Sequence, residues 1–156
     1  MGMQLNVGDH ASPVAGYLAI PPGYRADAQW ARTRARAVAR GRPSANVYFK
    51  TLPGGKSLSA LLADNTIWVN YSVSIGAYGE AVIGGRELAI GPSAFRMGRW
   101  TVLATLIHEL AHINGAPGGV SRAAEQALVA CGLGRASELR TGVDDPDTPY
   151  DPSLSG

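Results

Sequence analysis

Between Trp100 and Asn114 the apolar positions Val102, Leu103, Leu106, Ile107, Leu110, Ala111 and Ile113 fall on almost every side of a 3.6-residue period. A helix that is apolar nearly all round is a buried one. Gly115 predicts a left-handed cap at its end, and Pro117 keeps it from resuming. Past Gly118 and Gly119, the pattern predicts a second helix that starts from Ser121 as N-cap, runs through alanines to Cys131 and stops at Gly132 and Gly134. Upstream, the period predicts a helix from Asp27 to Arg40, with Trp30 and the alanines as its apolar side.

The middle of the chain changes period. Asn46–Lys50 and Thr66–Tyr71 read as strands from their β-branched and aromatic content, and Ser57–Ala63 as a short helix. Tyr78–Ile83 and Arg86–Ile90 flank Gly84-Gly85, a hairpin signal. Pro92-Ser93-Ala94-Phe95 leads into the buried helix. Residues 1–24, with Pro13, Pro21 and Pro22, predict an irregular N-terminal segment, 25–140 one domain, and 141–156 an acidic, proline-rich tail. Helix, then strands, then helices implies an α+β fold: a short twisted sheet packed on the buried helix and a second helix.

The 156 residues are enough for one domain with a proper core, at 46% hydrophobic and 17% charged. No run of about 18 apolar residues predicts a transmembrane helix. The N-terminus has neither the basic region nor the apolar stretch of a signal peptide. Cys131 stands alone, so no internal disulfide is expected, and it reads as a small buried hydrophobe. Residues 1–60 hold eight Lys and Arg against two acids, whereas residues 61–156 hold six Arg against ten acids. The excess sits on the first helix, in Arg32, Arg34, Arg36 and Arg40. Such a face suits phosphates or an acidic protein, yet basic runs are most often merely solvated, and nucleic acid is not the expected partner. Pro53-Gly54-Gly55-Lys56-Ser57 resembles the end of a phosphate loop, but Lys50 stands where that loop needs its first glycine, so a turn is expected.

The candidate chemistry lies in the buried helix, at His108-Glu109-Leu110-Ala111-His112. Four residues of helix advance about 400° and roughly 6 Å, so both imidazoles share one face, one turn apart. That spacing suits a single zinc ion, with Glu109 placed to act on a water as general base. Two histidines in a buried helix satisfied by hydrogen bonds would be the plain structural alternative. Burying three such polar groups is costly without partners, and a metal resolves the cost. A catalytic zinc needs a third protein ligand and an open position. Glu125, early in the second helix among small neighbours, is the favoured third ligand, although an acidic first turn also serves the helix dipole. Asp144, Asp145 and Asp147 are the fallback, and His10 is the only other histidine.

These residues resemble the zincin metallopeptidases, through His108, Glu109, His112 and Glu125. Residues 100–134 are also similar to C-terminal toxin domains of bacterial polymorphic toxins, including the Rhs type. The first resemblance implies a small zincin-like domain, a two-His-plus-acid zinc site, peptide-bond hydrolysis and a strand beside the cleft that pairs with extended protein or peptide substrate. Arg86–Ile90 or Thr66–Asn70 would supply that strand. A second electrophile, for which Tyr71, Tyr78 and Tyr150 are candidates, would also be expected. The second resemblance implies secretion into a target cell as part of a larger protein, and a cognate immunity protein. The chain departs from the metzincin pattern, with Gly118 where a third histidine would stand. Two other readings stay open: a different zinc hydrolase such as an amidase, and a non-catalytic binding module that uses the Arg-rich helix.

Overall fold

A computed structural model describes residues 2–118 and 121–134. The fold is α+β. A four-stranded sheet has β1 (Gln4–Leu5), β2 (Trp68–Tyr71), β4 (Glu87–Ile90) and β3 (Gly79–Ala81) in that spatial order. β1, β2 and β4 run parallel, and β3 returns antiparallel to β4 with Gly79 opposite Ile90 and Ala81 opposite Leu88. The helices are α1 (Arg25–Gly41), α2 (Pro43–Lys50), α3 (Leu58–Leu62), α4 (Pro92–Met97), α5 (Arg99–Ile113) and α6 (Ala123–Ala130). None is long and apolar enough to cross a membrane among the described residues.

α5 is the axis of the core. Every residue from Thr101 to Ile113 is buried, as the all-round apolar pattern requires. α1 turns its alanines, Ala28, Ala31, Ala35 and Ala39, inward and so comes close to α5. Leu88 and Ile90 of β4 and Val69 and Tyr71 of β2 face the same core. α5 ends in a Schellman cap: Gly115 takes φ +91°, its N–H donates to the His112 carbonyl at 2.9 Å, and the Ala116 N–H donates to the Ala111 carbonyl at 2.9 Å.

One expectation is corrected here. Asn46–Lys50 is not a strand but the body of α2. Pro43 opens that helix, the Asn46 amide donates to the Ala39 carbonyl at 2.8 Å, and Phe49 is fully buried, so tertiary contacts override the β preference of Val47, Tyr48 and Phe49. The described part of residues 1–24 is nevertheless tied into the domain. It supplies β1, places Met3 and Ile20 in the core, and bridges Leu18 to Tyr71. Pro92–Phe95 also forms a helix of its own, α4, which Gly98 separates from α5 at φ +121°. α6 starts two residues later than the expected cap, with the Ser121 hydroxyl accepting from the Ala123 N–H at 3.3 Å.

The arginines of α1 mostly serve the fold. Arg25 donates to the Ile20 carbonyl and Arg32 to the Met3 carbonyl, while Arg34 lies over the Trp100 ring at 5.4 Å. Cys131 is buried, and desolvation pushes its thiol up to about 12.

Asn114 fastens the end of α5 to the loop beneath it. Its amide donates to the Phe49 and Lys56 carbonyls, each at 2.8 Å, and its side-chain oxygen accepts from the Lys56 N–H at 3.3 Å. Asn114→Ala strips these bonds from a residue only 2% exposed and leaves carbonyls without a donor. A loss of about 2–4 kcal/mol is expected, read as a lower urea midpoint with unchanged slope.

Candidate metal centre

His108, Glu109 and His112 come together as the spacing requires. One ligand atom from each lies within 4.8 Å of the others, and all three residues are buried. The two imidazole rings stand 5.0 Å apart and nearly edge to face. α5 positions them by periodicity alone, but His112 is also set by the cap. Its Nδ1 lies 2.7 Å from the Ala116 carbonyl, which can only accept, so Nδ1 carries the proton and Nε2 keeps its lone pair. That second bond fixes the tautomer and ring orientation that a metal ligand needs. The Schellman turn therefore does more than end the helix: it brings the Ala116 carbonyl back to the ring.

Glu125 arrives from α6. Its Oε1 lies 3.6 Å from His108 Nδ1. Ala124 and Ala127 are buried, and their small side chains allow α6 to pack closely on α5. α2 holds α6 at both ends: the Tyr48 hydroxyl donates to the Ala123 carbonyl at 2.7 Å and the Ser44 hydroxyl to the Ala130 carbonyl at 2.9 Å.

The donor set of two imidazoles and a carboxylate on one turn fits a metal ion, and Glu125 stands outside that group, beside the first imidazole. A buried cluster of that kind could hold a metal ion. It opens on a cleft of about 190 Å³ lined by Gly79, Glu80, Ala81, Ile83, His108, Glu109, His112 and Gly118.

The cleft wall corrects the expected substrate strand. Thr66–Asn70 belongs to β2 and Arg86–Ile90 to β4, and both are interior strands with neighbours on each side. Their edges are already used in the sheet. β3 is the edge strand beside the motif. Gly79 shows how close: a Cβ there would lie 2.5 Å from Thr105 Cγ2 and 3.1 Å from Glu109 Oε2. Only a glycine lets the strand lie against the His-Glu-His turn.

The other candidates sit elsewhere. His10 stacks on Trp68 at 4.0 Å, and its Nε2 pairs with Glu87 at 2.9 Å. Asn70 also donates to Glu87, and Asn6 to Asn70. Trp68, Asn70 and Glu87 point to the sheet face away from α5, so His10 is not a ligand of this site. Tyr71 packs in the core beside Phe95 and Tyr24, and neither Tyr71 nor Tyr78 lines the cleft. Tyr150, Asp144, Asp145 and Asp147 lie outside the described residues. Gly79 and Glu80 went unrecognised in the sequence, although a glycine within a strand marks close backbone approach.

No family model matches the chain, and no curated protein or solved structure matches it either.

Proposed function

We propose that this domain is a zinc-dependent metallopeptidase. One observation carries the reading: two histidines and a glutamate, buried on one turn of α5, open onto a cleft whose wall is an edge strand. His108, His112 and Glu125 would hold the metal, leaving Glu109 for proton transfer. When bound, zinc supplies Lewis-acid polarisation of a carbonyl and makes a water more acidic. Glu109, held beside Gly79, accepts the proton of the attacking water and returns it to the leaving amine. β3 receives an extended chain by strand addition, which keeps the scissile peptide in a fixed position relative to Glu109. His112, oriented through Ala116, keeps its Nε2 directed for ligation.

The further reading, an effector module delivered as part of a larger secreted protein with an immunity protein as partner, rests on the sequence resemblance of residues 100–134 alone. A second reading, an amidase that encloses a small substrate, meets a cleft of only about 190 Å³. Pockets that bury whole drug-sized ligands are usually about 300–1,000 Å³. A peptide laid across the edge strand needs no such volume, so the peptidase reading stands first.

The purified protein is expected to carry about one zinc per chain. Metal analysis of protein prepared without chelator checks this, and zinc that stays well below one per chain after titration would overturn the metal assignment. Incubation with unfolded proteins and with cell-wall fragments, each resolved by mass spectrometry, separates the peptidase from the amidase.

A further inference from the structure

Resting on the peptidase reading, we infer that Glu80 selects substrates carrying a lysine or arginine at the position paired with it on the edge strand. Among the described residues, Glu80 is the one charged residue at the cleft apart from the His-Glu-His turn itself. It is exposed and sits at the centre of β3.

The register decides which way things point. Gly91 N–H donates to the Tyr78 carbonyl and Val82 N–H to the Glu87 carbonyl, so residues 78, 80 and 82 bond inward to β4. In an antiparallel ladder the intervening residues, Gly79 and Ala81, then turn their N–H and C=O groups to the outer edge. Among the described residues no strand lies beyond that edge. An extended peptide would bond to Gly79 and Ala81, and one of its residues would stand opposite Glu80. Side chains directly opposite each other share a face, with Cβ atoms about 4.5–5.5 Å apart. That residue therefore points with Glu80, away from α5, whereas its neighbours point toward the catalytic turn.

The carboxylate also has a polar neighbour in the fold. The Tyr17 phenol, itself buried, lies against Glu80. Burial first and the Glu80 charge second push the Tyr17 hydroxyl above its ordinary range, with Glu109 and Glu87 adding to the effect, so it keeps its proton and remains a donor. Among the described residues no salt bridge engages the Glu80 carboxylate, which leaves it to meet the substrate strand. Opposite charges paired across a strand are favourable and like charges repel, which makes the preference a discrimination between Lys or Arg and Asp or Glu.

The test is a peptide library cleaved by the zinc-loaded protein, with cut sites read by mass spectrometry. A basic residue should be enriched at one fixed distance from the cut. Glu80→Gln should erase that enrichment, Glu80→Lys should replace it with an acidic one, and salt should weaken it. A binding arm uses zinc-loaded Glu109→Gln protein and fluorescent peptides that differ only at the enriched position. Lysine should bind about tenfold tighter than glutamate, and the gap should close in the Glu80→Gln, Glu109→Gln double variant. Cleavage without a basic preference, or with a preference that survives Glu80→Gln, overturns the role of Glu80 and leaves the peptidase reading intact. Neither cleavage nor binding of any library member overturns the peptidase reading, and the role of Glu80 with it.

Discussion

Glu109→Gln is expected to keep its zinc and to lose hydrolysis by at least about 10²–10⁴-fold, the usual contribution of a positioned general base. The change is nearly isosteric, which matters at a residue 2% exposed and pressed against the Gly79 backbone. Packing survives, but the amide cannot take a proton from water. The comparison also separates two roles for this carboxylate. Glu109 lies in the same 4.8 Å group as both histidines, so geometry alone permits it to be a ligand. Zinc retained with turnover lost assigns it to proton transfer. Zinc lost as well moves it into the ligand set, and turnover near that of the parent removes it from the chemistry altogether. In cells, if the domain is a toxin, the parent should arrest growth and the variant should not.

Glu125→Ala carries the second large effect. Its carboxylate oxygen stands 3.6 Å from His108 Nδ1, which fits two arrangements. As the third ligand, Glu125 donates directly to the ion. As an outer partner, it would hold the His108 ring while the ion sits on the other nitrogen. Magnitude tells them apart, because removing an outer partner typically costs about 10–100-fold in metal affinity. The ligand assignment predicts a loss well beyond 100-fold, measured by competition with a chelator of known affinity. Zinc should then raise the melting temperature of the variant far less than that of the parent, since stabilisation by a ligand follows its affinity for the native state. Affinity equal to the parent would exclude Glu125 from the site. The same measurement on variants of Asp144, Asp145 and Asp147 would then say whether the acidic tail supplies the ligand instead.

The His-Glu-His turn was legible because helical periodicity is local: four residues of spacing place His108 and His112 on one face whatever the rest of the chain does. The cap at Gly115 was legible for the same reason, as were the hairpin around Gly84-Gly85 and the short helix over Ser57–Ala63, which Ser57 opens by accepting from the Ala60 N–H. What escaped depends on partners far along the chain. Val47, Tyr48 and Phe49 have strand propensities, but Pro43 begins a helix and Phe49 is buried in the core where α2 packs on α1, α3 and α6. β1 is two residues long and exists because Gln4 and Leu5 pair with Trp68 and Val69, more than sixty positions away. The edge strand was missed because edge or centre is a property of sheet order, and β4 lies between β2 and β3 in space but after both in sequence. Glu125 was legible as a candidate from its place early in the second helix among small neighbours, but its approach to His108 depends on α2 clasping α6 at Ala123 and Ala130.

The single cysteine has a practical corollary. Thiolate, rather than thiol, reacts with maleimides and iodoacetamides. Cys131 is 2% exposed and titrates near 12, so at neutral pH the native protein is almost silent to both reagents. A cysteine introduced at exposed Ile83, on the rim of the cleft, would be the one position that takes a dye. The unaltered chain thus comes ready for site-selective labelling, and a fluorophore at the cleft mouth would report the arrival of a peptide before any bond is cut.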